Sequence, residues 1–275
     1  MALHRTLLLT ALCALPLCAC GDEKDDTGPE GDTDADTDTD TDTDADADTD
    51  ADTDMSATFS GQVLEADGAN AEGAVQLCGS RCMNATLDGE GRFTFQNLAA
   101  ERHGFHTAIE GYAEGLVFYD MVADTANEMP SPYVTIAWED EITLGNAAQV
   151  VSAAGGLMLT LDKNDITLPL GETDYIITSA APSAEQIPEI DTLEGEIVGM
   201  WYLGPFDSRI SPPAPFAVVT NPGDFTEGEV LQAWVAGYLE TDWLDCGTAT
   251  VQADGTILSD TGAGLTVLST LALVR

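Results

Sequence analysis

The chain has 275 residues, and its 49 acidic against 8 basic side chains leave a formal net charge of −41. A polyanion of that strength cannot hold nucleic acid through phosphate contacts, which need clustered Lys and Arg, and charge alone will not seat it on an anionic lipid leaflet. With 44% hydrophobic residues it still carries enough apolar material for one or two real cores.

The N-terminal residues address the chain. His4 and Arg5 precede an apolar run, Leu7 to Leu17, about half the length a helix needs to cross a bilayer. A basic start, a short apolar stretch and a small-residue end make a secretory signal peptide. Its end, Leu17-Cys18-Ala19-Cys20, resembles the lipobox of bacterial lipoproteins. The resemblance implies a signal peptide over residues 1–19, with Cys20 lipidated as the mature N-terminus. Cys18 fits less well, because Leu15-Pro16-Leu17 lacks a small residue before the cut. The plainer alternative is an ordinary signal peptide cleaved near Ala19. One acyl chain (a palmitate, for example) anchors only marginally at about 0.8 kcal/mol per buried CH₂. The two or three chains that lipoprotein modification supplies anchor stably. The membrane is therefore an expected partner, and the cell envelope, outer membrane or cell surface, the expected place.

Residues 20–54 follow as a tether. From Asp22 to Asp54 there are 17 acidic residues and one basic residue, Lys24, and every even position from Asp32 to Asp54 is Asp. Strict alternation mimics a strand, but no apolar face exists to bury, and like charges at every second position repel. The segment reads as disordered and extended, a spacer between lipid and head. Calcium is the alternative ligand for so many carboxylates, yet a site needs turns that converge oxygens, and only Gly31 lies near the repeat.

From residue 55 onward the chain reads as all-β: two antiparallel β-sandwich modules, over 55–135 and 136–275. In the first, strands are expected over Ala57–Leu64, Ala74–Leu77, Met83–Leu87, Arg92–Gln96 and Phe105–Ile109. Asp88-Gly89 and Glu90-Gly91 between two β-prone runs signal a hairpin, and Phe93 and Phe95 should face one side. "SGQVLEADG", "GAVQL", "LDGEGRFTFQNL" and "IEGY" resemble the transthyretin-like regulatory domain of carboxypeptidases. In that family the module is an accessory sandwich, so the resemblance implies scaffolding or binding and brings no active-site residues. A looser stretch around Ala123 to Pro132, with Pro130 and Pro132, joins this module to the next or ends it.

In the second module Val-, Ile- and Thr-rich runs alternate with Gly, Pro and Asp turns, and Asp254-Gly255 marks a hairpin. No window carries a helical period of useful length. Gly155-Gly156, the run ending at Pro169, and Gly204-Pro205 followed by Pro215 resemble the β-sandwich module shared by ankyrins, netrin receptors and zonula-occludens proteins. Some relatives cut themselves at a His-Phe-Ser site. This region has no His, so self-cleavage is not implied.

Candidate chemistry is sparse. Cys78 and Cys82, three residues apart in an oxidising compartment, are expected to form a structural disulfide. Two thiols are half the ligand set zinc needs. Cys246 is left as a buried thiol or an alternative partner. His103 and His106, with Glu110 nearby, would share a face on a helix but point to opposite faces of a strand, so they are read as exposed or edge histidines. Asp260-Thr261-Gly262 superficially matches an aspartic-protease loop, a chemistry that needs two such carboxylates; it is read as a turn. Trp201, Tyr202, Trp234, Tyr238 and Trp243 form either a sugar-stacking surface or core. No cofactor and no metal is expected. The function expected is non-catalytic: a lipoprotein presenting its head for binding or structural interaction with a protein or glycan. The alternatives are a carbohydrate- or Ca²⁺-dependent adhesion module and an enzyme with an unrecognised site.

Overall fold

The computed structural model describes residues 56–220, 223 and 225–275. The expected signal peptide, the expected lipidation site Cys20 and the Asp-rich segment read as a tether lie outside the described residues. Those described contain twenty-one strands and, apart from them, only two single-turn 3₁₀ helices, Ala154–Gly156 and Lys163–Asp165, so the all-β reading holds.

The first eight strands are β1 (Ala57–Glu65), β2 (Ala74–Cys78), β3 (Cys82–Thr86), β4 (Arg92–Leu98), β5 (Arg102–Ala108), β6 (Val117–Asp120), β7 (Ala126–Glu128) and β8 (Tyr133–Thr135). They make two sheets. One has the order β4-β1-β7 with β8 also on β1, and the other the order β3-β2-β5-β6. Between them lies an aromatic core. Phe105 is fully buried and packs its ring against Phe59, Phe93, Tyr119 and Tyr133, with centroids 5.1 to 6.4 Å apart. Phe93 and Phe95 are buried while Arg92, Thr94 and Gln96 are exposed, as the period of two requires.

Two expectations need correction. The turn at Asp88–Gly91 forms as read, with Gly91 N–H donating to Asp88 O at 2.9 Å and Asp88 Oδ1 accepting from Glu90 and Arg92 N–H. It does not close a hairpin, because β3 pairs with β2 and β4 pairs with β1. Turn chemistry is local, whereas pairing is decided by where the two phenylalanines of β4 can be buried, opposite Phe59 of β1. The hairpin of this region is β2–β3, in register from Ala74↔Thr86 to Cys78↔Cys82. The stretch 123–132 is also no mere linker, since β7 lies within it and pairs in parallel with β1. Asn127 fixes that short strand by donating through Nδ2 to Thr58 O at 3.0 Å, a side-chain bond with no hydrophobic signature.

The remaining strands are β9 (Asp140–Thr143), β10 (Gln149–Ser152), β11 (Leu157–Leu161), β12 (Ile166–Thr167), β13 (Ile176–Ala180), β14 (Ile197–Gly204), β15 (Ser208–Ala214), β16 (Phe216–Val218), β17 (Val230–Gly237), β18 (Asp242–Val251), β19 (Ile257–Ser259), β20 (Leu265–Leu268) and β21 (Thr270–Val274). Ten form one sheet, β10-β11-β16-β19-β18-β17-β21-β14-β13-β9, and β12-β15-β20 form another. The Asp254-Gly255 turn joins β18 to β19, which pair as a true hairpin.

The large sheet is buried on both faces at its centre. Trp201 and Leu203 of β14, with Leu271 and Leu273 of β21, join a core shared with β12, β15 and β20. Their alternate neighbours Met200, Tyr202, Ala272 and Val274, together with Trp243 of β18, join the same cluster as Phe59 and Phe105. The aromatic core of the first eight strands is thus continuous with one face of the large sheet. That double burial is why β21 carries five consecutive buried residues instead of an alternation.

Candidate functional site

A groove of about 480 Å³ lies between the β12–β13 loop, the β14–β15 turn and the β5–β6 and β8–β9 connections. Glu114 enters it from the β5–β6 connection, one residue before Gly115. Gly115 lies where a Cβ would overlap the Tyr133 hydroxyl and come within 2.7 Å of Tyr202 Cδ1, so the backbone carrying Glu114 is pressed onto two buried rings. Trp138 enters from the β8–β9 connection, held by its backbone amide N–H donating to Gly111 O at 3.3 Å. Its indole lies close to the bare backbone of Gly204, where a Cβ would be 3.4 Å from Trp138 Cη2. Glu172 and Asp174 come from the β12–β13 loop, turned by a bond from Glu172 N–H to Pro169 O and by Gly171 at φ +101°. Leu170 at the loop tip is fully exposed.

Three carboxylates and an indole therefore face one groove, and no Lys or Arg lines it. The cations of the described residues are engaged elsewhere. Arg81 donates to Asn97 O, Arg92 pairs with Glu90, Arg102 with Asp120 and Asp242, Lys163 with Asn146, Arg209 with Asp207 and Glu240, and Arg275 with Glu229. With no counter-charge, burial and the neighbouring Glu172 push the Glu114 carboxyl above the ordinary carboxylate range. Chemically such a groove attracts a cation, which would meet carboxylate charge beside the Trp138 indole.

At the groove wall, Phe206 of the β14–β15 turn stacks on His106, with centroids 5.1 Å apart. Here the histidine reading is corrected. His103 and His106 are 3% and 6% exposed, neither on the surface nor at an edge. β5 is an inner strand of its sheet and is buried over five consecutive residues, so even opposite-facing positions are covered. His106 Nε2 bonds Gln76 Oε1 at 2.9 Å, and the Tyr238 hydroxyl donates to the same oxygen at 3.1 Å. Burial lowers the His106 pKa to about 4, so the ring is neutral around pH 7.

Cys78 and Cys82 are joined at the tip of the β2–β3 hairpin, with both sulfurs 3.3 Å from the Tyr238 hydroxyl. Cys246 is a free, buried thiol whose pKa burial pushes up to about 12, which leaves it protonated and unreactive. Trp201, Tyr202 and Trp243 are 2%, 0% and 6% exposed; they are core and not a stacking surface. Asp260 accepts from the Thr248 and Thr250 hydroxyls, the latter at 2.8 Å, and its carbonyl accepts from Ala263 N–H in a turn. Among the described residues no group of three His, Cys, Asp or Glu side chains could hold a metal.

Sequence reasoning missed the groove because Glu114, Trp138, Glu172 and Asp174 come from three separate connections with no fixed spacing. The one available signal was Trp138, a large aromatic between two short strands. The chain matches none of the family models and none of the curated proteins with which it was compared.

Proposed function

We propose that this protein is a non-catalytic bacterial envelope lipoprotein whose β-sandwich head binds a cationic partner. Cys20 carries the lipid anchor, the Asp-rich segment holds the head away from the membrane, and the groove around Glu114 and Trp138 takes Lys or Arg side chains of the partner. The observation that carries the binding reading is the groove itself: three carboxylates beside an indole, while the head's own cations are engaged elsewhere. The lipobox resemblance at Leu17–Cys20 supports the anchor, and the transthyretin-like resemblance over 57–112 supports an accessory role.

Two measurements test the two halves of this reading. In a lipidating host, mass spectrometry should find Cys20 acylated, and Cys20→Ala should move the protein from the membrane to the soluble fraction; an unmodified Cys20 contradicts the anchor. For the groove, N-acetyl-arginine amide carries one charge and so has little avidity for the tether. It should bind the full chain with a Kd on the order of 1 mM at low salt. Replacing Glu114, Glu172 and Asp174 by Gln, Gln and Asn should weaken binding at least about tenfold, and added salt should weaken it too. Equal binding by the triple variant contradicts the groove.

A further inference from the structure

A second pocket, of about 310 Å³, opens where Arg102 of β5 and Asp242 of β18 meet the chain at 192–194, just before β14. Trp234 of β17 and Trp243 of β18 line it together. They stand on paired strands, with Trp234 opposite Asp245 and Ala236 opposite Trp243. Trp243 is core, but Trp234 is only partly buried and lies at the border of the aromatic cluster. It is therefore a tryptophan that a molecule in the pocket can touch.

The walls are pinned. Trp243 Nε1–H donates to Thr192 Oγ1 at 3.1 Å, and that hydroxyl donates onward to Phe118 O at 3.1 Å. Arg102 Nε and Nη2 donate to the two oxygens of Asp120 at 2.8 and 3.0 Å. Its Nη1 donates to Asp242 Oδ1, which also accepts from Trp243 N–H at 2.8 Å. Three groups are left open. Asp242 Oδ2 and the exposed carboxylate of Glu194 accept from no donor among the described residues. Trp234 Nε1 has no acceptor there either and, unlike the unpaired indole nitrogen of Trp201, it is not buried.

We infer that this pocket binds a neutral sugar, one pyranose ring lying against the Trp234 indole while its hydroxyls reach Asp242 Oδ2, Glu194 and Trp234 Nε1–H. Three observations select that class. The open groups are two acceptors and one donor, and a hydroxyl can both donate and accept. Beside them lies an indole, whose electron-rich face suits the C–H face of a sugar ring. Charge excludes the alternatives: Asp120 and Asp242 already balance Arg102, and Glu194 adds a further negative charge against an anion. The Arg102 guanidinium in the wall in turn opposes a cation, in contrast to the groove around Glu114. The volume is at the lower end for small-molecule sites, so one or two rings are held and not a long glycan. This site does not depend on the groove.

The test uses ¹⁵N-labelled full-length protein and reads the indole N–H signals of the four tryptophans. The probes are the methyl β-pyranosides of glucose and galactose and the methyl α-pyranoside of mannose. The Trp234 signal is assigned by its loss in Trp234→Phe or, should that variant not fold, by contacts to its strand neighbour Ala272. At least one glycoside should shift it saturably, with a Kd on the order of 1–10 mM. The uronate of the glycoside that binds should bind at least about tenfold more weakly. N-acetyl-arginine amide should leave the Trp234 signal in place, whether or not it binds the groove. Glu194→Gln alters an exposed side chain that makes no bond in the fold, and should weaken sugar binding about fivefold. No saturable shift with any of the three, equal affinity for the uronate, a Trp234 shift with N-acetyl-arginine amide, or unchanged affinity in Glu194→Gln would overturn the inference.

Discussion

Phe105→Ala should destabilise the head by about 3–5 kcal/mol, the range for truncating a large buried aromatic. Phe105 is fully buried and its ring touches four others, contributed by β1, β4, β6 and β8. Those strands belong to both sheets of the first eight, so the truncation opens a cavity that no single strand can close. The rings belong to the cluster that also holds Tyr202 and Met200 of the large sheet, so the loss should be felt there as well. Urea unfolding followed by near-ultraviolet dichroism measures it; a loss below about 1 kcal/mol would mean that the rings repack, contrary to the interlocked core described above.

Gly115→Ala is the second large effect, expected at about 3 kcal/mol, the upper part of the range for overpacking a tight core. The added methyl would overlap the Tyr133 hydroxyl and approach Tyr202 Cδ1 at 2.7 Å. Neither ring can withdraw: both are fully buried, and Tyr133 donates to the carbonyl of Gly115 itself at 3.0 Å. Gly89→Ala is the matched control. That glycine has no heavy atom within 4 Å of a built Cβ and no positive φ, so its substitution should stay within about 0.5 kcal/mol. If the two variants melt alike, the close approach at Gly115 is not a constraint on the fold.

Much of the architecture was legible because it rests on short-range chemistry. The alternation of Phe93 and Phe95 and the turns at Asp88–Gly91 and Asp254-Gly255 report local periodicity and local hydrogen bonds, and each forms where the sequence places it. What the sequence did not disclose is partner choice. Nothing in residues 82–98 tells that β3 and β4 enter different sheets, because both pairings satisfy the same turn. β21 gives no alternation to read, since its five residues are buried from both sides. The histidines misled for the same reason: a strand covered on both faces has no exposed side for His106 to occupy.

The groove shows the same limit at the level of function. Glu114, Trp138, Glu172 and Asp174 are ordinary loop residues in sequence, in a head where carboxylates are common. Their meaning comes from convergence and from the engagement of Arg81, Arg102, Arg209 and Arg275 elsewhere, both products of the fold. By contrast the resemblance to a lipobox and the acidic repeat rest on contiguous residues and are read without a structure.

The raised pKa of Glu114 makes the groove reading testable at one atom. Burial and Glu172 favour its neutral form; a bound cation favours its ionised form. Binding should therefore release a proton at pH values between the ordinary carboxylate range and the raised value, and affinity should fall as pH drops through that window. The decisive measurement is a ¹³C titration of the Glu114 side-chain carboxyl with and without saturating N-acetyl-arginine amide. The groove reading predicts a titration midpoint above that of exposed glutamates in the free protein, moved downward by the probe. An unchanged midpoint at saturation would contradict the assignment of this groove as the binding surface.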